Sequence, residues 1–357
     1  MRGIDSIASP TLWLITAAAV LALLAIDFVL TRRPHAVTMR EAVGWSVFYV
    51  SLPLAFTLYV WGAHGGGNGL DYLTGYLVEK SLSVDNLFVY MVLLSAFAVP
   101  AELQQRVLLY GIAGALVLRT VFIVVGAAAI AASDEVFLLF GLILVWAAVK
   151  LLRDVRRGQS HAIDVARLRS VRALRRIVPV TEQYEGPQLF GRVGGRWAVT
   201  PFAVVVVAVL ATDVVFAVDS VPAVYGITGD PYLVFVTNAF ALLGLRALYF
   251  VLHGALGRLA YLDYGLAVVL GFVGVKLALH WAHGVWPAVP DIPTALSLAV
   301  ILVILVVTVV ASLRRNRTRR RKRRRAPAGT FSATSRPGRS RRGRPSADDE
   351  FLDWRES

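Results

Sequence analysis

With 357 residues, 57% of them hydrophobic and 17% charged, the chain gathers its apolar residues in repeated runs of about 20, the length that crosses a hydrocarbon core. Its formal net charge of +14 would suggest a nucleic-acid partner, but residues 313 to 357 hold 16 Arg and Lys against five Asp and Glu. The surplus therefore belongs to a C-terminal tail, and no nucleic-acid partner is expected. There is no cysteine, which excludes disulfides, thiolate metal sites and thiol relays.

The pattern is that of an all-α membrane protein. Nine spans are predicted, at 11–30, 41–62, 73–98, 107–131, 135–152, 199–222, 232–252, 264–284 and 294–313. The first runs directly into Arg32 and Arg33 without a small-residue cleavage site, so it reads as a retained span. The Arg32 to Arg40 loop is basic, and so is the 153–198 loop, with ten Arg against Asp154, Asp164, Glu182 and Glu185. The loops at 63–71, 132–134, 226–231 and 285–293 are poor in Lys and Arg. By the positive-inside rule the N-terminus lies outside and the C-terminus in the cytoplasm, in a plasma-membrane protein in contact with lipid. Within the long loop, Val165, Leu168, Val171 and Leu174 have partly amphipathic spacing and predict a segment lying on the cytoplasmic surface. Residues 314–357 have low complexity and little apolar content, so a disordered tail anchored on anionic lipid is expected.

The two halves on either side of the basic loop resemble one another. Glu79 and Asp85 in "VEKSLSVDNLFVY" match Asp213 and Asp219 in "ATDVVFAVDSVPA", six residues apart in each case. Arg119 in "ALVLRTVFIV" aligns with Arg246 in "LLGLRALYFV", and Lys150 in "AAVKLL" with Lys276 in "VGVKLAL". Spans three to five (71–152) thus repeat as spans six to eight (199–286) with opposite orientation. They are preceded by two N-terminal helices (1–70) and followed by a ninth span (287–313). Inverted repeats of this kind are typical of secondary transporters, whose substrate lies at the repeat interface.

An acid near the centre of a spanning helix costs about 2.5 to 3.5 kcal/mol on insertion scales, so four of them call for a function. Partners six apart on an ideal helix diverge by about 120° and cannot both face one ion. Pro222 suggests an unwound turn beside Asp219, exposing the Val218 carbonyl. Ser83, Asn86 and Ser220 flank the acids, so carboxylate, amide, hydroxyl and carbonyl oxygens are available. Such a set suits Mn, Mg or Ca. The alternative is charge pairing: Glu79 with Lys80, and the aspartates with Arg119 and Arg246. Asp85 and Asp219 are the stronger ligand candidates, and Glu79 and Asp213 the stronger partners for the arginines. Lys80, Arg119, Arg246 and Lys276 are assigned to charge pairing or gating, and Lys150 to snorkelling at a span end. His280 and His283 could form a metal pair, but beside Trp281 and Trp286 they read as an interfacial group. Asp27 is expected at the interface.

At these positions the sequence resembles the TerC family of integral membrane proteins, named for tellurium resistance and including manganese exporters. The similarity lies in "EKSLSVDNLFV", "FAVDSVPAVYGIT", "DPYLVFVTNAFALLGLRALYF" and "IPTALSLAV" and spans about residues 40 to 313. It implies efflux of Mn(II) or a related divalent cation, with Glu79, Asp85, Asn86, Asp213 and Asp219 as metal ligands. Many relatives carry Glu where this chain has Leu210. No P-loop is present, so a secondary carrier is expected, exchanging protons for metal, with no resident cofactor and no enzymatic nucleophile and base. The competing reading is a non-transporting membrane component of tellurite or stress resistance, its charges holding the bundle together.

Overall fold

The computed structural model describes residues 6–31, 38–157, 184, 186–193, 196–253 and 261–325. The chain divides into two units, Met1–Asn316 and Arg317–Ser357; of the second, residues 317–325 are described and helical. The elements are α1 (Pro10–Leu30), α2 (Met39–His64), α3 (Gly66–Ala96), α4 (Ala101–Ala132), α5 (Glu135–Arg156), β1 (Phe190–Val193), β2 (Arg196–Val199), α6 (Pro201–Tyr225), α7 (Pro231–Leu243), α8 (Leu245–His253), α9 (Leu262–Val285) and α10 (Thr294–Arg325).

Among the described residues eight segments are long and apolar enough to cross a membrane, with α7 and α8 counted as one. The remaining predicted span, 73–98, is α3. Its 31 residues reach about 46 Å at 1.5 Å per residue, but Asp71, Glu79, Lys80 and Asp85 interrupt its apolar run. Its neighbours α2, α6, α7 and α9 cover it. Polarity is distributed as a bilayer demands: Leu14 and Leu58 are 72% and 74% exposed, whereas Glu79, Arg119 and Asp213 are completely buried.

Three helices begin in the same way. Ser9, Thr200 and Asp230 each accept a backbone N–H from the first turn of α1, α6 and α7, at 3.2, 3.2 and 2.8 Å, and each is followed by a proline whose missing N–H costs nothing there. Asp230 also accepts from the Ile7 N–H at 2.7 Å, which ties the segment before α1 to the start of α7.

Helices related by the repeat pack on their counterparts: α3 on α6, α4 on α7, and α5 on α9. The α5–α9 contact is the closest. A Cβ on Gly141 would lie 2.7 Å from the Gly274 carbonyl oxygen, and a Cβ on Gly274 would lie 2.9 Å from that of Gly141. Ala148 meets Gly271 and Phe137 meets His280, so residue numbers rise along one helix as they fall along the other. The two helices are antiparallel, as an inverted repeat requires, and small residues let their backbones approach.

The structure departs from the sequence expectations in four places. Pro222 does not unwind its helix. It lies inside a continuous α6 that ends only after Tyr225, with the Gly226 N–H donating to the Pro222 carbonyl at 2.9 Å; so near a helix end the ring forfeits one bond and no more. The break falls instead in the seventh span, where Gly244 separates α7 from α8. The 153–198 loop contains an antiparallel hairpin, with Phe190 opposite Val199 and Val193 opposite Arg196, around the sequence Gly194-Gly195 that tight hairpin connections favour. Finally, α10 continues past residue 313 to Arg325, because Arg and Lys are good helix formers. The predicted surface segment at 165–174, the 32–37 part of the first basic loop and the tail beyond residue 325 lie outside the described residues.

Candidate functional site

The centre of the bundle is built around one cation. Arg119, on α4, is fully buried, and its guanidinium meets side chains from three other helices. Nη1 donates to Glu79 Oε1 of α3, to Ser220 Oγ of α6 at 2.8 Å and to Asn238 Oδ1 of α7 at 2.9 Å. Nη2 and Nε reach the two oxygens of Asp213 on α6 at 3.4 and 3.5 Å. Asn86, its amide turned so that the nitrogen donates to the Leu82 carbonyl, presents its oxygen to Nη2 at 3.2 Å. The Tyr90 hydroxyl donates to Asp213 at 3.4 Å. Two carboxylates, two amides and a hydroxyl thus converge on one guanidinium, all in a desolvated interior where such charge-assisted bonds are strong.

The repeat explains much of this ring. Glu79 corresponds to Asp213 and Asn86 to Ser220, so the guanidinium sits between two equivalent pairs of acceptors presented by the antiparallel counterparts α3 and α6. Asn238 has a second bond of its own, from Nδ2 to the Val234 carbonyl at 2.9 Å, which fixes its oxygen toward Arg119.

The predicted site residues separate into groups. Glu79, Asn86 and Asp213 come together at Arg119. Asp219 is half-buried on the same helix as Asp213, and the charges of Arg119 and Glu79 act on it. Asp85 belongs to α3, but its side chain lies outside the described residues. Among the described residues no three His, Asp or Glu side chains form a group able to hold a metal ion; any cation here would draw on the amide and hydroxyl oxygens as well. Lys80 reaches the helix break: its ammonium donates to the Ala241 carbonyl at 3.3 Å and lies beside Gly244, with the Glu79 charge acting on it.

Arg246 does not join the acids of the repeat, contrary to expectation. It bonds Asp27 of α1 at 2.8 Å and Gln105 of α4 at 3.1 Å, with Trp45 beneath it. Asp27 is correspondingly buried, 1% exposed; a helix outside the repeat supplies the counter-charge. Lys276 is buried, with Asp71 and Asp291 as the acids acting on it, while its counterpart Lys150 is exposed over the Trp146 ring. His280 pairs with Asp291 and His283 with the Val289 carbonyl, so the two imidazoles face different partners. Leu210 packs against α4, where a Cβ on Gly114 would lie 2.2 Å from its methyl. Away from the spans, burial raises the Tyr184 hydroxyl above its ordinary range, in keeping with its donated bond to the Phe97 carbonyl at 2.8 Å.

The model of the integral membrane protein TerC family matches residues 64–321, a stretch that contains every donor of the Arg119 ring. The chain belongs to the TerC family. Among its relatives, an uncharacterized membrane protein of Myxococcus xanthus is 42% identical over 280 residues, covering 78% of this chain and 86% of that one. An uncharacterized membrane protein of Mycobacterium tuberculosis strain H37Rv is 44% identical over 277 residues, 77% of this chain and 70% of the relative. A protein of Escherichia coli K12 with the provisional name membrane-bound redox modulator Alx is 41% identical over 307 residues, 83% and 92% of the two chains. No solved structure matches.

In this TerC protein, sequence reasoning missed Asn238, Tyr90 and Gln105. Asn238 had a usable signal, being the only amide in the apolar run 231–243; a buried amide requires a partner. Tyr90 and Gln105 had none, because a tyrosine in a span and a glutamine near a span end are unremarkable in composition.

Proposed function

We propose that this multi-pass membrane protein is a secondary transporter that exports a divalent metal cation, Mn(II), from the cytoplasm across the plasma membrane. The observation that carries the reading is the ring of hard oxygen donors from α3, α6 and α7 closed around a single positive charge at the contact between counterpart helices. Two carboxylates, two amides and a hydroxyl are the donor types that Mn(II) and Mg(II) accept, and midplane sites between inverted repeats are where carriers bind substrate. The resemblance to a family that includes manganese exporters points to Mn(II) among these ions.

On this reading the Arg119 guanidinium holds the place of the cation in the unloaded protein. It neutralises Glu79 and Asp213 while the site is empty of substrate and is displaced when the metal arrives, with Asp219 and Asp85 as further acids along the path and protons as the returning charge. Lys80, at the Gly244 break, acts on the gate and not on the metal.

The test is manganese flux into proteoliposomes, followed by a Mn-sensitive fluorophore inside. Wild type should carry Mn(II), and Glu79→Gln and Asp213→Asn should abolish flux while remaining folded. A second reading, in which the charges only hold the bundle, is favoured by the fact that Arg119 already bonds both acids. Under that reading wild type gives no flux, and cells with and without the protein contain equal manganese.

A further inference from the structure

The hydrogen bonds of α3 leave a regular remainder. Among the described residues, buried polar atoms without a hydrogen-bond partner include the Tyr72 and Tyr76 hydroxyls, Glu79 Oε2 and Ser83 Oγ. These four positions step by four, three and four residues, so at 100° per residue they fall within an arc of about 60° on one face and extend about 16 Å along the axis. All four side chains are buried: Tyr72, Glu79 and Ser83 are 0% exposed and Tyr76 is 2%. The Tyr72 and Tyr76 rings lie stacked, 6.5 Å apart and 11° from parallel. A buried hydroxyl left without a partner costs about 1 to 3 kcal/mol, and native proteins relieve such groups with bound water. The four fall on one face of one helix.

At Val78 and Leu82 a different face of α3 is closed by apolar side chains. Val78 and Leu82 pack with Leu144, Val273 and Leu277 in an apolar cluster with α5 and α9. The orphaned face starts near the Gly66 end of the helix and leads to Glu79, the carboxylate that grips Arg119.

We propose that the α3 face bearing Tyr72, Tyr76, Glu79 and Ser83 is a hydrated lane through which water and small hydrated cations reach the Arg119 ring from the Gly66 end of the helix. The hydroxyls substitute for part of the hydration shell of a passing ion, and Glu79 Oε2 is the first carboxylate oxygen on this face of α3. The lane deepens the transport reading and rests on it only for the identity of the ion; its existence is tested without any metal.

Two measurements decide it. Because the chain has no cysteine, single substitutions Tyr72→Cys, Tyr76→Cys, Val78→Cys and Leu82→Cys can be made directly and treated, in vesicles, with a small cationic methanethiosulfonate added to one side at a time. The lane predicts that positions 72 and 76 react about tenfold faster than 78 and 82, and from one side, since thiol modification follows access to water. Should the cysteine variants fail to fold, wild-type protein in lipid nanodiscs is exposed to radiolytic hydroxyl radicals, which mark residues beside bound water. Tyr72 and Tyr76 should then be oxidised several times faster than the equally buried Phe202. Equal reactivity of the two faces, or oxidation at Tyr72 and Tyr76 no faster than at Phe202, overturns the lane. A hydrated lane in a protein that gives no manganese flux would leave the lane standing and remove the transport reading.

Discussion

Arg119 and Arg246 occupy matching places in the two repeats, yet they sit in different chemical worlds. Arg119 meets two carboxylates, two amides and a hydroxyl from both repeats, whereas Arg246 meets one carboxylate and one amide, the carboxylate from outside the repeats. The difference teaches that the internal symmetry supplies the donors but does not fill the site symmetrically. One arginine reaches the contact between α3 and α6. The other, following the Gly244 break, is held by α1 and α4, and a symmetric scaffold thereby acquires a single centre.

The comparison can be broken most forcefully at Arg119. Arg119→Gln leaves Glu79 and Asp213 buried together without a counter-charge, and the loss should be about 3 to 5 kcal/mol of stability, as for other buried pairs broken on one side. Thermal unfolding in detergent measures it, and adding Glu79→Gln should recover part of the loss; an unchanged midpoint for the single variant would show that the ring does not hold the bundle. Arg246→Gln should cost less, about 2 to 3 kcal/mol, because a single acid is stranded. Asp27→Asn should rescue it, while manganese flux per folded molecule persists. If Arg246→Gln instead abolished flux in a folded protein, the two arginines would be functionally equivalent after all. The finest probe is Tyr90→Phe. The hydroxyl is 3.4 Å from Asp213, a long bond, so a loss of about 0.5 to 1 kcal/mol is expected, with any larger effect marking Tyr90 as part of the ring proper.

How far the site could be read in advance varies residue by residue. Glu79, Asp85, Asp213 and Asp219 stood out because charge is expensive in an apolar run, and the six-residue spacing exposed the repeat. Glu79 and Asp213, read as the stronger partners for the arginines, are the acids that grip Arg119. Pro222 drew attention as a helix breaker, yet a proline three residues from a helix end disturbs little. Gly244 attracted none, although it marks the break that Lys80 faces. Asp27 looked like an end-of-span residue because its partner, Arg246, is 219 positions away.

Hydropathy and residue spacing were enough to establish a bundle of membrane helices that is internally repeated and carries acids and arginines within its spans. Those properties depend on hydropathy and spacing along a single helix, and both are local. Tertiary structure alone decided which acid faces which cation, that Asn238 completes the ring, and that one face of α3 keeps its hydroxyls unpartnered. Such choices are set by the rotation of each helix about its own axis and by the neighbours packed against it, and that information is shared among helices far apart in the chain.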